Sequence, residues 1–265
     1  MRGITRDCIV EMFDRKLIYV FAIVTVLALF IVLMTASFDT EIHVQTSGNM
    51  DMEEVNDMLG NPAMNGFSFF LFVLVFLAVL GTAGLMPSML ERGRADYYLS
   101  KPISRTSLFF SKFFGIFVVY GGVITLCGLI VYLAMGFMYN FFAAGVIYII
   151  LFALLNLFIW MSVTSFSGVV FGSNAIAIMS AFIVWVLQFL LDKREFMQEL
   201  LRSKTFNYVT DSIYYIIPKT GALDNLALRL AVDRVIRDWV PLYSSVLFAL
   251  VVIFATVTIF RKKNY

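Results

Sequence analysis

Residues 113–191 read FFGIFVVYGGVITLCGLIVYLAMGFMYNFFAAGVIYIILFALLNLFIWMSVTSFSGVVFGSNAIAIMSAFIVWVLQFLL, from Phe113 to Leu191 without one Asp, Glu, Lys, Arg or His. A bilayer crossing takes about 20 residues at ~1.5 Å each, so this stretch has room for three crossings joined by short turns. The turn candidates are Gly136 to Phe142, around Asn140, and Gly172 to Asn174. Apolar runs at Leu17–Ser37, Phe67–Leu90 and Leu242–Phe260 supply three more. The expected architecture is an all-α membrane protein forming a single transmembrane domain over 1–265. Its six spans fall at about 17–37, 67–90, 113–136, 143–171, 174–191 and 242–260. Six crossings put both termini on one side.

Composition agrees with that class. Of the 265 residues 61% are hydrophobic and 14% charged, with a mean hydropathy of +0.88; soluble domains carry about 25% charged residues. A net charge of +2, with no basic tail interleaved with aromatics, gives no reason to invoke nucleic acid. Cys8 and Cys127 fall in different predicted environments, which argues against a disulfide between them. The first apolar run is too long for a signal-peptide core of about 7 to 15 residues, and charges of both signs precede it.

Orientation follows from lysine and arginine. With the N-terminus inside, the cytoplasmic segments hold Arg2, Arg6, Arg15, Lys16, Arg92, Arg94, Lys101, Arg105, Lys112, Arg261, Lys262 and Lys263. The first outer loop, 38–66, has no Lys or Arg but carries Asp39, Glu41, Asp51, Glu53, Glu54 and Asp57. The chain is thus expected in the plasma (inner) membrane, multi-pass, with cytoplasmic termini. The remaining eight basic residues lie in 192–241, which parity places outside, mixed with seven acidic ones. In that segment Phe196, Leu200, Leu201, then Leu223, Leu226, Leu230 and Trp239 recur near helical spacing on either side of a turn at Pro218–Gly221. They predict two amphipathic helices lying along the outer surface or dipping into the interface. Residues 1–16 form another such helix, with Ile4, Cys8, Ile9, Met12 and Phe13 on one face and Arg6, Asp7, Glu11, Asp14 and Arg15 on the other.

Sites for chemistry are scarce. There is no GxxxxGK[ST] and no GxGxxG between a strand and a helix, so the chain itself is not expected to bind ATP or to be an enzyme. His43 is the one histidine and no CxxC or HExxH occurs, so neither cofactor nor metal site is proposed. Proton relays and intramembrane hydrolases need ionisable groups at depth, and the predicted spans have none. Only Asn156, Gln188, hydroxyls, and Asn140 or Asn174 near the turns offer polarity, and such groups more often bond between helices than mark a pathway. Gly81, Gly84, Pro87, Gly121, Gly122 and Gly168 point to close helix contact or bending. Energy for any transport must come from another protein.

The longest and most charged cytoplasmic connection, 91–112, begins ERGRADYYLSKPISR. Pro102 disfavours helix at Lys101, and Ser104 can cap a new helix leading through Lys112 into the third span. On physics alone the segment is either a punctuated helix offering Glu91, Asp96 and Arg105 to a partner or a basic loop that sets topology.

These residues resemble the E-R-G-T-x-x-x-x-L-S-x-P-I-S-R signature, followed by G-K, of ABC-2-type transporter permease subunits. YYIIPKTGALDNLA after the fifth span, Trp239 with Pro241, and the ending Phe260, Arg261, Lys262, Lys263, Asn264, Tyr265 extend the likeness along the chain. Arg94 stands where threonine is usual, Ser111 where glycine is, and Asn264 where an acidic residue is. The resemblance implies a type-2 exporter-like fold in which the N-terminal amphipathic helix and the loop after span two fit into a separate ATP-binding cassette subunit. It makes Glu91, Arg92, Gly93, Asp96, Lys101, Pro102, Ser104 and Arg105 the coupling candidates. ATP and Mg would sit in that partner ATPase, and a second permease protomer would complete a homodimer or heterodimer. Copper-enzyme maturation permeases similar to NosY are one branch of that family; exporters of peptides, drugs or lipids are others. A rival reading is a membrane scaffold that transports nothing and uses the ATPase to move an extracytoplasmic protein. An intramembrane enzyme is disfavoured by the uncharged spans.

Overall fold

The structure is a computed structural model that describes residues 10, 16–46, 52–90, 104–139, 144–192, 217–231 and 239–262, without the side chains of 35–46, 52–62, 89–90 and 191–192. Among the described residues it is all helical. The α-helices are α1 (Leu17–Thr46), α2 (Met52–Thr82), α3 (Arg105–Tyr139), α4 (Val146–Phe171), α5 (Asn174–Asp192), α6 (Thr220–Ala231) and α7 (Val240–Lys262), with a 3-10 turn at Pro87–Leu90. Five of them, α1, α2, α3, α4 and α7, are long and apolar enough to cross a membrane; the apolar part of α5, Asn174–Leu190, is shorter. A multi-pass membrane protein fits this set.

The helices differ from the expected spans at their ends. α3 begins at Arg105, before the charge-free stretch, and carries Lys112 buried at 3% exposure. Much of 38–66, expected as an outer loop, is helical, because α1 runs to Thr46 and α2 starts at Met52. Charged residues end an apolar run in sequence, but they do not break the backbone ladder of a helix.

α4 is the hub. It touches α2, α3, α5, α6, α7 and the 3-10 turn, and two thirds of its span is buried. Its polar residues turn inward: Ser162, Thr164, Ser165 and Ser167 are all buried. Three of these hydroxyls donate to carbonyls of their own helix, Ser162 to Ile159, Thr164 to Trp160 and Met161, and Ser167 to Val163. A small residue that satisfies its own hydroxyl leaves a neighbour free to pack close. At the other extreme, 11% of the α1 span is buried, and Ile23, Val26 and Leu27 stand exposed. A helix apolar on every side with so little covered is suited to lipid as its solvent.

Aromatic contacts fix the ends of the bundle. Phe109 at the start of α3 lies 6.1 Å from Phe260 at the end of α7, ring centre to ring centre, so Arg105, Lys112, Arg261 and Lys262 share one end. Phe21 of α1 meets Tyr120 of α3 edge to face at 6.3 Å. At this same end Gly172, in the left-handed region at φ 65, closes α4 by donating its N–H to the Gly168 carbonyl, and α5 starts two residues later.

Candidate functional site

Of the coupling candidates, Glu91, Arg92, Gly93, Asp96, Lys101 and Pro102 lie outside the described residues. Ser104 and Arg105 are described. Ser104 is exposed, and its Oγ accepts the Ser107 N–H at 3.2 Å while its carbonyl accepts from Leu108, so it caps α3 as its sequence position predicts. Arg105, half-buried, opens the helix, and both it and Lys112 engage other groups. On the upstream side the Pro87–Leu90 turn is seated on the hub: a Cβ added at Gly168 would stand 2.9 Å from the Pro87 ring. The segment 91–103 is therefore bracketed by a turn that rests on α4 and a capped helix that packs beside it.

A second polar cluster forms at the other half of the bundle. Asn156 on α4 and Gln188 on α5 stand equally far in sequence from Gly172, and the two helices fold back at that point, so the amides are level. Both are more than nine-tenths buried. α6 reaches them. Asn156 Nδ2 donates to the Asp224 carboxylate at 2.7 Å, and Thr220 Oγ1 donates to Gln188 Oε1.

α6 is held at both ends. At its start the Lys219 N–H donates to Ser245 Oγ at 2.9 Å and the Lys219 ammonium to Ser244 Oγ at 3.0 Å, both on α7. At its finish Ala231 presses its backbone on Gly145, so closely that any Cβ at 145 would overlap the Ala231 carbonyl. Leu223 and Ala227 are buried between these anchors. Since Ala231 meets Gly145, before the first residue of α4, and Asp224 meets Asn156 about 16 Å further along it, α6 stands alongside the first half of α4. The sequence predicts two amphipathic helices lying along the outer surface or dipping into the interface; the first, around Phe196, Leu200 and Leu201, lies outside the described residues, and the second is present as α6, packed against α2, α4 and α7.

Asp224 was not singled out from sequence. In a charge-rich segment one aspartate carries no mark, although its position one turn after Thr220, next to Leu223 and three before Ala227, places it on the buried face. Desolvation by burial pushes its carboxyl from the ordinary 3.8 up to about 7, against the lowering effect of the Asn156 hydrogen bond. Among the described residues two amide atoms stay without partners, Asn156 Oδ1 and Gln188 Nε2.

Beside this cluster α2, α4, α5 and α6 enclose a cavity of about 270 Å³. Phe72, Phe76, Trp160, Phe182 and Trp185 form its walls, and Ser68, Asn156, Thr220 and Asp224 contribute polar groups. Among the described residues no three His, Cys, Asp or Glu side chains converge to hold a metal. No protein-family model matches the chain, and no curated protein matches it.

Proposed function

We propose that the chain is the membrane-spanning permease subunit of an ATP-binding cassette transporter of the ABC-2 type, driven by a separate ATPase subunit that holds ATP and Mg. In this reading α5 is the sixth crossing, both termini are cytoplasmic, and two protomers pair in the plasma membrane. One observation carries it: ERGRADYYLSKPISR is bracketed by a turn seated on Gly168 of the hub helix and by the Ser104-capped start of α3. Force applied to that segment by a partner would reach α4, which touches most of the bundle.

The test is copurification of the full chain from its native membrane. A P-loop ATPase should come with it, and Glu91→Ala with Arg105→Ala should lower the ATPase activity of the complex. An intact chain that brings down no ATPase, or a double variant with unchanged activity, refutes the coupling role.

A second reading, a scaffold that transmits movement without transport, is favoured by α4 itself. One rigid helix carries the turn before the coupling segment at one end and α6 at the other. Purified complex in proteoliposomes separates the readings: ATP-dependent movement of an outer partner without solute flux would select the second.

A further inference from the structure

The cavity between α2, α4, α5 and α6 combines aromatic walls with three acceptors grouped where α6 meets α4, and this group defines what fits it; the other polar atoms of its lining are the Ser68 hydroxyl and the indole N–H groups of Trp160 and Trp185. Asn156, 4% exposed, spends its Nδ2 on Asp224 and leaves Oδ1 buried with no partner among the described residues. Asp224 presents a carboxylate whose partner is an uncharged amide. Thr220, one turn earlier on the same helix, gives its hydroxyl proton to Gln188 and so can only accept from a ligand. Gln188, whose Nε2 is the remaining unpartnered donor, is not among the residues that line the cavity. Among the described residues the buried carboxylate meets no cation and the buried amide oxygen no donor; both are costly, and one group, a protonated amine, relieves both.

We propose that this cavity is a binding site for an amphiphilic primary amine. Its ammonium donates to the Asp224 carboxylate, Asn156 Oδ1 and Thr220 Oγ1, and its apolar body lies among the aromatic rings. Three N–H donors meet three acceptors. Trp160 and Trp185 add cation–π attraction beside the head group and flat surface for the body. A volume of about 270 Å³ lies at the small end of ligand pockets and suits one aromatic ring on a short alkylamine. Entry is sideways, where Phe72, Phe76 and Phe182 are 40%, 50% and 60% exposed, so a ligand dissolved in an apolar phase reaches the site directly. The site rests on the cavity's own chemistry and does not depend on coupling to an ATPase.

The experiment titrates the purified full-length protein with three probes of one shape: 2-phenylethylamine, its trimethylated ammonium, and 2-phenylethanol. Trp160 and Trp185 report occupancy by fluorescence. The primary amine is expected to bind saturably, at least tenfold tighter than the alcohol and severalfold tighter than the trimethylated cation, which keeps the charge but has no N–H. Asp224→Asn should erase the preference of amine over alcohol, and Thr220→Val should reduce it severalfold. Equal affinities for the three probes in the unaltered protein, no saturable binding of the amine, or a preference that survives in Asp224→Asn each overturn the proposal. The probe comparison needs no variant, so a poorly folding substitution does not remove the test.

Discussion

Asn156 and Asp224 are separated by 68 residues of chain and joined by a hydrogen bond of 2.7 Å, from the amide nitrogen of the hub helix to the carboxylate of a helix of only 12 residues. This bond ties α6 to the interior, and it places a titratable group where burial disfavours its charge.

Stability should therefore fall with rising pH. The Asp224 carboxyl has its pKa raised from 3.8 to about 7 in the folded chain, so folded protein holds the proton after unfolded protein has lost it. The stabilising proton is fully present below about pH 4 in both states and is lost progressively up to about pH 7. Asp224→Asn removes this dependence, and the new amide can donate to Asn156 Oδ1. In detergent the variant should unfold at the same temperature as the parent near pH 4 and at a higher one at pH 8, by the equivalent of a few kcal/mol at most. A variant less stable than the parent at pH 8 would contradict the assignment.

Gly145→Ala should destabilise, by roughly 1–3 kcal/mol, because the added methyl meets the backbone of Ala231, which cannot rotate away. Gly122→Ala is the control: nothing lies within 4 Å of a Cβ there, so it should be neutral or stabilise α3 by up to ~1 kcal/mol. Thermal unfolding of the pair measures the difference. Alkylation of Leu223→Cys in the Gly145→Ala background should also speed up as α6 loosens.

Ser104→Ala removes the side-chain acceptor for the Ser107 N–H and should cost about 1 kcal/mol, with Ser104→Asp restoring it. Hydrogen exchange at Ser107 and Leu108 should report the change before global unfolding does.

Thr220 and Gln188 should show coupling in a double-mutant cycle. Thr220→Val leaves Gln188 Oε1 without its donor, and Gln188→Leu removes the acceptor, so the double variant should lose about 1 kcal/mol less than the two single losses combined. Simple additivity would mean that the hydrogen bond contributes nothing.

The helical class was legible from residues 113–191 because a bilayer crossing requires a long uncharged run, and few other structures do. Helix ends were less so: α3 starts eight residues before the apolar stretch, since Lys112 is covered by its own protein and needs no water boundary. The Ser104 cap could be read because it depends on four consecutive residues. The Asn156–Asp224 contact could not, because it depends on how the chain between α5 and α7 returns to the bundle, which hydrophobic pattern does not encode. The sequence also treated hydroxyls as links between helices; Ser162, Thr164 and Ser167 of α4 spend theirs within it, whereas Thr220, Ser244 and Ser245 do link α6 to its neighbours, beside the two amides.

The late position of α6 in the chain sets an order of assembly. Asn156 and Gln188 are synthesised before Thr220 and Asp224, so for a time the nascent bundle holds two amides that have only each other, water or lipid to answer them. A chain stopped short of residue 220 would keep Asn156 Nδ2 and Gln188 Oε1 without the partners α6 brings, a chemical mark by which an incomplete molecule differs from a finished one.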